Sequence, residues 1–105
     1  MHISTDEARN ILSNSGEHFA KLFAHGTLEV EIYRPDKIDH QQPHAKDEVY
    51  LIISGAGDFF LEGKVTAFKP GDFLFVPAGA EHRFINFSHD FSTWVLFYGP
   101  DGGEH

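Results

Sequence analysis

Short runs of alternating apolar and polar residues, each about as long as a β-strand, recur along most of the chain. In Thr27–Arg34 aliphatic side chains alternate with Glu and Tyr, so one face of the predicted strand is more polar than the other. In Asp47–Ser54 the same alternation places Glu48, Tyr50 and Ile52 on one face. A repeat of two residues is typical of strands, and the pattern therefore predicts a chain built mainly of them.

Turn-forming residues, chiefly Gly and Pro, separate these runs at regular intervals. The strands predicted in this way are Phe19–His25, Thr27–Arg34, Asp47–Ser54, Asp58–Leu61, Val65–Phe68, Phe73–Val76, His82–Asn86 and Ser92–Tyr98. Closure of so many short strands into a barrel or a double-sheet roll removes exposed sheet edges. We therefore expect an all-β fold.

The segment before the first strand has the features of a helix. Ser4 and Glu7 have the spacing of a capping box, and the apolar residues that follow recur at helical spacing until Asn14–Gly16. We predict a short helix over residues 5–13, followed by a barrel core over about residues 18–98 of a single domain. The Gly-rich, acidic segment 99–105 is predicted to be a flexible tail.

Composition narrows the class of protein further. The 105 residues include 11 Phe, 10 Gly and 5 Pro, a balance that favours strands and turns over a helical bundle. The formal net charge of -8 argues against nucleic acid or an anionic membrane as partner. With neither a membrane-spanning run nor a basic leader, we expect a cytoplasmic protein. The absence of Cys excludes thiolate chemistry, whereas 8 His make metal or proton chemistry worth testing.

Four side chains form the candidate metal site: Gln42, His44, Glu48 and His82. Gln42 and His44 are two residues apart and lie on one side of an extended segment, whereas Glu48 begins the next strand. Imidazole and carboxylate ligands suit Fe, Mn, Ni, Cu or Zn, and two His with one carboxylate leave positions open on the metal. The amide of Gln42 is either a weaker fourth ligand or a hydrogen-bond donor to a bound substrate.

The stretch Gly71–Asn86 carries the most specific pattern in the chain. Five fixed positions match the second motif of the cupins, Gly-x5-Pro-x-Gly-x2-His-x3-Asn: Gly71, Pro77, Gly79, His82 and Asn86. The first cupin motif, Gly-x5-His-x-His-x3-Glu-x6-Gly, is matched by His44, Glu48 and Gly55. Asp36 replaces its first Gly, and Gln42 replaces its first His. Over Thr27–Tyr98 the chain thus resembles a small single-domain bacterial cupin that lacks the first His.

This resemblance implies a cupin-type double-stranded β-helix, or jelly-roll barrel, with a metal in its mouth. By position, His44, Glu48 and His82 are the implied ligands. His40, four residues before His44, replaces the missing ligand if its loop bulges, and a metal-free barrel is the other alternative. Three aromatic residues are expected to line the substrate pocket, on the sides of strands that face inward: Tyr50, Phe84 and Trp94.

Other candidate groups are given structural interpretations. His2, His18, His25, His89 and His105 lie outside the motifs and are expected on the surface. The carboxylates of Glu29 and Glu31 are interpreted as a solvated strand face, since Glu is rarely buried.

Two classes of function remain open, beside a purely structural role for a stable dimeric barrel whose pocket has no function. One is an enzyme that uses a single divalent transition metal to act on a small organic acid or phenol, by oxygenation, isomerisation or lyase-type elimination. In such an enzyme Glu48 is also a candidate general base. The other is a non-catalytic barrel that binds or senses a small ligand. The fold hosts many chemistries and selects neither. A homodimer paired through Phe19–Arg34 is expected in both cases.

Overall fold

The computed structural model describes residues 1–105 and contains one helix and eight strands. The elements are α1 (Thr5–Ser15), β1 (Phe19–His25), β2 (Leu28–Tyr33), β3 (Asp47–Ser54), β4 (Gly57–Leu61), β5 (Lys64–Phe68), β6 (Phe73–Val76), β7 (His82–Ile85) and β8 (Ser92–Tyr98). Each predicted strand is present, with ends that shift by one residue at several places. The helix is too short and too polar to cross a lipid bilayer.

The strands form two antiparallel sheets. The larger sheet has the order β1-β2-β8-β3-β6, and the smaller has the order β5-β4-β7. β1-β2 and β4-β5 are hairpins, whereas the other neighbouring strands are distant in sequence, as in a jelly roll, where the chain crosses from one sheet to the other. The predicted all-β fold with a short N-terminal helix is confirmed.

The main core fills the space between the two sheets. It combines residues from both: Tyr50, Ile52, Phe59, Phe68, Val76, Ala80, Phe84, Phe91 and Val95. The aromatic rings of this core contact one another at angles well away from parallel, as in the 4.8 Å pair of Tyr50 and Phe84. The predicted inward face of β3 is correct, because Glu48, Tyr50 and Ile52 are all buried.

Helix α1 covers the outer face of the larger sheet. Ser4 accepts a hydrogen bond from the amide of Glu7, whose side chain returns to the Ser4 amide, so the predicted capping box is present. The helix ends at Ser15, two residues later than predicted, and Gly16 is its C-cap. Its apolar side packs with Ile32 and with the indole of Trp94, which therefore lies on the face of β8 opposite the main core.

Two segments differ from their predicted structure. Asn86, predicted as the last residue of the strand that begins at His82, lies outside β7, because the strand ends at Ile85 and Asn86 has φ of 53° with an exposed side chain bonded to Asp58. The tail is not free, because Gly102 donates to the carbonyl of Ala45 at 2.7 Å and the Glu104 amide donates to the Asp47 carboxylate at 2.9 Å. Tertiary acceptors thus hold a segment whose composition predicts flexibility.

Candidate metal centre

The turn before β7 places His82 beside the segment that carries His44. Gly79 adopts φ of 81°, a conformation that only glycine takes without strain, and its amide donates to the His44 carbonyl at 2.8 Å. The neighbouring Ala78 amide donates to the Asp47 carboxylate at 2.9 Å. These two bonds tie the turn to the start of β3, so His82 and Glu48 enter the barrel from opposite sheets at the same level.

Three ionisable side chains meet there. His82 Nε2 lies 3.1 Å from Glu48 Oε1, and His44 Nε2 lies 3.9 Å from Glu48 Oε2. One ligand atom from each residue falls within 4.8 Å of the others. Glu48 is fully buried and His82 is 2% exposed, whereas His44 is half-buried at the open side. The structure thus brings together His44, Glu48 and His82, as the motif spacing predicted.

A backbone carbonyl fixes the orientation of the His82 imidazole. Its Nδ1 donates to the carbonyl of Ala80 at 2.9 Å, which leaves Nε2 as the atom that faces Glu48. Burial lowers the pKa of His82, but the Glu48 carboxylate and the Ala80 carbonyl outweigh burial, so the pKa is raised overall. The ring therefore presents a fixed nitrogen to the space between the three side chains.

The residues present fit a divalent cation. Both Glu48 oxygens and His82 Nε2 are buried, and apart from the 3.1 Å approach of Nε2 to Oε1 none of them has a hydrogen-bond partner. Buried polar atoms are nearly always paired, because an unpaired one costs about 1–3 kcal/mol. Three such atoms from two sheets converge on one point, and a single metal ion would satisfy all of them.

Gln41, and not Gln42, faces this group. Gln42 is exposed, and so is the alternative ligand His40. The amide oxygen of Gln41 accepts a 2.8 Å bond from the Tyr50 hydroxyl and lies 3.4 Å from His44 Nε2. The prediction for Gln42 is wrong because it assumed strand alternation, whereas residues 34–46 form an irregular loop.

Asp39 holds Gln41 in this position and was not predicted. Its carboxylate is 6% exposed and accepts bonds from the Tyr33 hydroxyl at 2.7 Å, the Gln41 amide at 3.1 Å, the Gln41 side chain at 2.8 Å and the buried Phe84 amide at 2.8 Å. The bond to the amide two residues on is the sole local signal, since it is typical of Asp in turns. The Tyr33 hydroxyl and the Phe84 amide, which belong to β2 and β7, reach Asp39 only through folding.

A cavity of about 350 Å³ opens beside the three-residue group. Its walls are largely apolar and aromatic: Phe19, Tyr33, Val95 and Phe97. Its polar lining consists of Glu31, Gln41, His44 and Glu48. Of the predicted pocket aromatics, Tyr50 and Phe84 belong to the core behind His82, and Trp94 lies under α1. None of the three is among the residues that line the cavity.

The environment of Glu31 is not the solvated strand face that the sequence suggested. Glu31 is half-buried and faces the cavity, on a sheet of five strands that packs against one of only three. Burial raises the pKa of the Glu31 carboxyl, Lys21 opposes that rise, and the nearby carboxylates Glu29 and Glu48 add to it. Glu29, two residues earlier, does not line the cavity. The five remaining histidines are exposed, as predicted: His2, His18, His25, His89 and His105.

Comparisons with known proteins agree with this architecture. Residues 29–98 match the Cupin domain family. An uncharacterized protein of Streptomyces coelicolor is 38% identical over 63 residues, which cover 60% of this chain and 60% of that protein. An acireductone dioxygenase of Rhodopseudomonas palustris is 38% identical over 66 residues, which cover 50% of this chain and 40% of that enzyme.

The fold also matches solved structures. KdgF from a Halomonas species superimposes with a TM-score of 0.68 at 19% identity, over 78% of this chain and 77% of that one. At 19% identity the similarity to KdgF concerns the fold alone. The matched stretches of the Streptomyces coelicolor and Rhodopseudomonas palustris proteins span 60% or less of the lengths of those proteins. The family match covers both motif regions and most of the strands. The chain belongs to the cupin family.

Proposed function

We propose that this protein is a mononuclear metal-dependent cupin enzyme, and that it acts as a dioxygenase on a small molecule that reaches the metal through an oxygen atom. The observation that carries the proposal is the convergence of three buried polar atoms of Glu48 and His82, with no hydrogen-bond partner outside this pair, beside an open cavity. The similarity to acireductone dioxygenases supports the dioxygenase class over isomerase or lyase chemistry.

His44, Glu48 and His82 would hold the ion, one of Fe, Mn, Ni, Cu or Zn. Bound there, such an ion supplies Lewis acidity and, as Fe or Mn, reactivity toward O₂. The chain supplies the orientation. Ala80 fixes the ring of His82, and Gln41 lies beside His44 Nε2. We assign to Gln41 the role of weak fourth ligand or substrate hydrogen-bond partner that the spacing had assigned to Gln42.

The residues around the centre also control water and protons. The aromatic core packs behind His82 and Tyr50, and the cavity lies on the side of His44 and Glu48, from which substrate would reach the centre. Glu48 is the carboxylate nearest to a ligand at the centre, and we assign it a second role as general base. Its carboxylate lines the cavity, where it would accept a proton from a bound ligand.

Metal analysis of protein purified without an affinity tag tests the centre. We expect close to one transition metal per chain, and near-complete loss of it in His82→Ala and His44→Ala. The matched control is His25→Ala, which removes an exposed histidine from β1 and should retain the metal. Unchanged metal content in both site variants would show that the ligand assignment is wrong.

Turnover of small phenols, enols and acids in air, compared with turnover under argon, tests the reaction. We expect oxygen-dependent consumption of at least one compound, abolished in His82→Ala. A protein that holds the metal and binds these compounds without turning them over would instead be a binding or sensing cupin.

We further propose that two copies pair through β1. This strand forms one edge of the larger sheet and exposes Phe19 and Phe23. Sedimentation of Phe23→Lys should show a shift from dimer to monomer, whereas Phe73→Lys, at the opposite edge strand β6, should leave the dimer intact. The reverse result would move the interface to β6.

A further inference from the structure

The cavity beside the metal centre has an uneven distribution of charge. Two carboxylates line it, Glu48 at the floor and Glu31 on the wall, and no Lys or Arg is among its lining residues. The one cation close to Glu31 is Lys21, its cross-strand neighbour on the edge strand β1, which is exposed and does not line the cavity. The wall opposite the metal is therefore acidic.

A bound metal would leave this asymmetry in place. A divalent ion on Glu48 gives that end of the cavity a net positive charge, which suits an anionic or neutral oxygen on the ligand. Glu31 keeps its negative charge on the wall, with the exposed Lys21 outside the cavity as its one nearby cation. It is too far along the sheet to share the ion, because Val95 and β8 separate its strand from β3. The two ends of a bound ligand thus meet opposite electrostatic environments.

The space between the two ends is apolar. Phe19, Tyr33, Val95 and Phe97 supply walls that favour a flat or hydrocarbon body. Only Tyr33 offers a polar atom, and its hydroxyl is already donated to Asp39. Glu31 is therefore the polar group that the remote end of a ligand encounters.

Resting on the proposed function, we propose that Glu31 selects ligands by charge. The cavity takes a small aromatic or apolar molecule that binds the metal through oxygen and whose remote end is neutral or cationic, and it rejects one with a carboxylate there. A half-buried carboxylate repels a second one at short range, because the apolar walls screen the pair less than water does. The same carboxylate attracts a protonated amine and accepts its hydrogen bond.

Three catechols of similar size test this selection, namely dopamine, ethylcatechol and homoprotocatechuate. They share the metal-binding hydroxyls and end in an amine, a methyl group and a carboxylate. Titrations under argon into Co²⁺-loaded protein, followed by the visible cobalt bands and by calorimetry, give Kd without turnover. In the wild type we expect dopamine to bind on the order of tenfold more tightly than homoprotocatechuate, with ethylcatechol between them.

Variants separate the wall charge from the overall charge of the protein. Glu31→Gln should bring the Kd values of dopamine and homoprotocatechuate to within about twofold, and Glu31→Lys should reverse their order. Glu29→Gln removes the same charge two residues away on the same strand, outside the cavity, and should keep the wild-type order. Circular dichroism of each variant checks that it is folded.

The possible failures are distinct. If the wild type binds homoprotocatechuate as tightly as dopamine, or if Glu31→Gln keeps the wild-type ratio, charge selection by Glu31 is refuted and the metal centre stands. If Co²⁺ does not bind, or no catechol changes the cobalt spectrum, the proposed function itself fails and the selection fails with it.

Discussion

Removal of the Asp39 carboxylate should disturb both the stability of the fold and the metal centre. Asp39 is the one side chain that joins the loop before β3 to β2 and β7 at once, through the Tyr33 hydroxyl and the Phe84 amide. Through Gln41 it also reaches the Tyr50 hydroxyl and the neighbourhood of His44. Asp39→Ala deletes these connections without adding bulk.

The expected loss of stability follows from the partners left behind. The Phe84 amide lies inside the barrel, and a buried donor without an acceptor costs about 1–3 kcal/mol. The Tyr33 hydroxyl and the Gln41 side chain each lose a bond to a charged group, worth about 1.5–3 kcal/mol, although both can turn toward water in the adjacent cavity. Asp39→Ala also removes a buried charge, whose desolvation disfavours folding, and this offsets part of the loss. We therefore expect a decrease of about 2–4 kcal/mol in the free energy of unfolding.

Urea denaturation of the metal-free protein measures this decrease. Asp39→Asn retains one oxygen acceptor and should lose about half as much, whereas Asp36→Ala removes an exposed carboxylate from the same loop and should stay within about 0.5 kcal/mol of the wild type. Since Gln41 and the loop that carries His44 lose their anchor, the affinity of Asp39→Ala for metal should fall about 10–100-fold.

Two results would refute this reasoning. If Asp39→Ala is no less stable than Asp36→Ala, the four hydrogen bonds do not hold the loop. If the free energy of unfolding falls but the affinity for metal is unchanged, Asp39 has a structural role alone and does not position the centre.

Three further predictions concern the scaffold. Ser4→Ala should lower the free energy of unfolding by about 1 kcal/mol through loss of the N-cap, and an unchanged urea midpoint would contradict this. Gly55→Ala should destabilise by more than about 2 kcal/mol, because its Cβ would lie 2.5 Å from the Phe91 Cα; Gly63→Ala, with the same φ of 83° but open space, should lose only about 1 kcal/mol. Hydrogen bonds from two backbone amides lower the pKa of Asp47. The stability that the Asp47 carboxylate adds to the fold is therefore complete above the ordinary carboxyl pKa, and it is lost as the pH falls through the lowered pKa of Asp47. In Asp47→Asn the free energy of unfolding should therefore decrease less steeply as the pH is lowered. If the pH dependence is the same as in the wild type, Asp47 is not responsible for the loss of stability in acid.

Local sequence was sufficient for the strands, the capped helix and three of the side chains at the centre. Successive side chains of a strand point to opposite faces of the sheet, so apolar and polar residues alternate with a period of two. The inward placement of Glu48 and Tyr50 could therefore be predicted without any tertiary contact. The turn chemistry of Pro77–Gly79 places His82 at the start of β7 in the same way. These features depend on residues that are close together in the chain.

Tertiary structure alone decided which residues surround that centre. The choice of Gln41 over Gln42 depends on an irregular loop anchored by Asp39 to partners on β2 and β7, and no periodic rule applies to such a loop. Glu31 faces a cavity because the two sheets differ in width, a property of strand pairing and not of β2 itself. The inward faces of the strands were therefore predictable from the chain, whereas the loop contacts and the openings between the sheets depend on how distant segments pair.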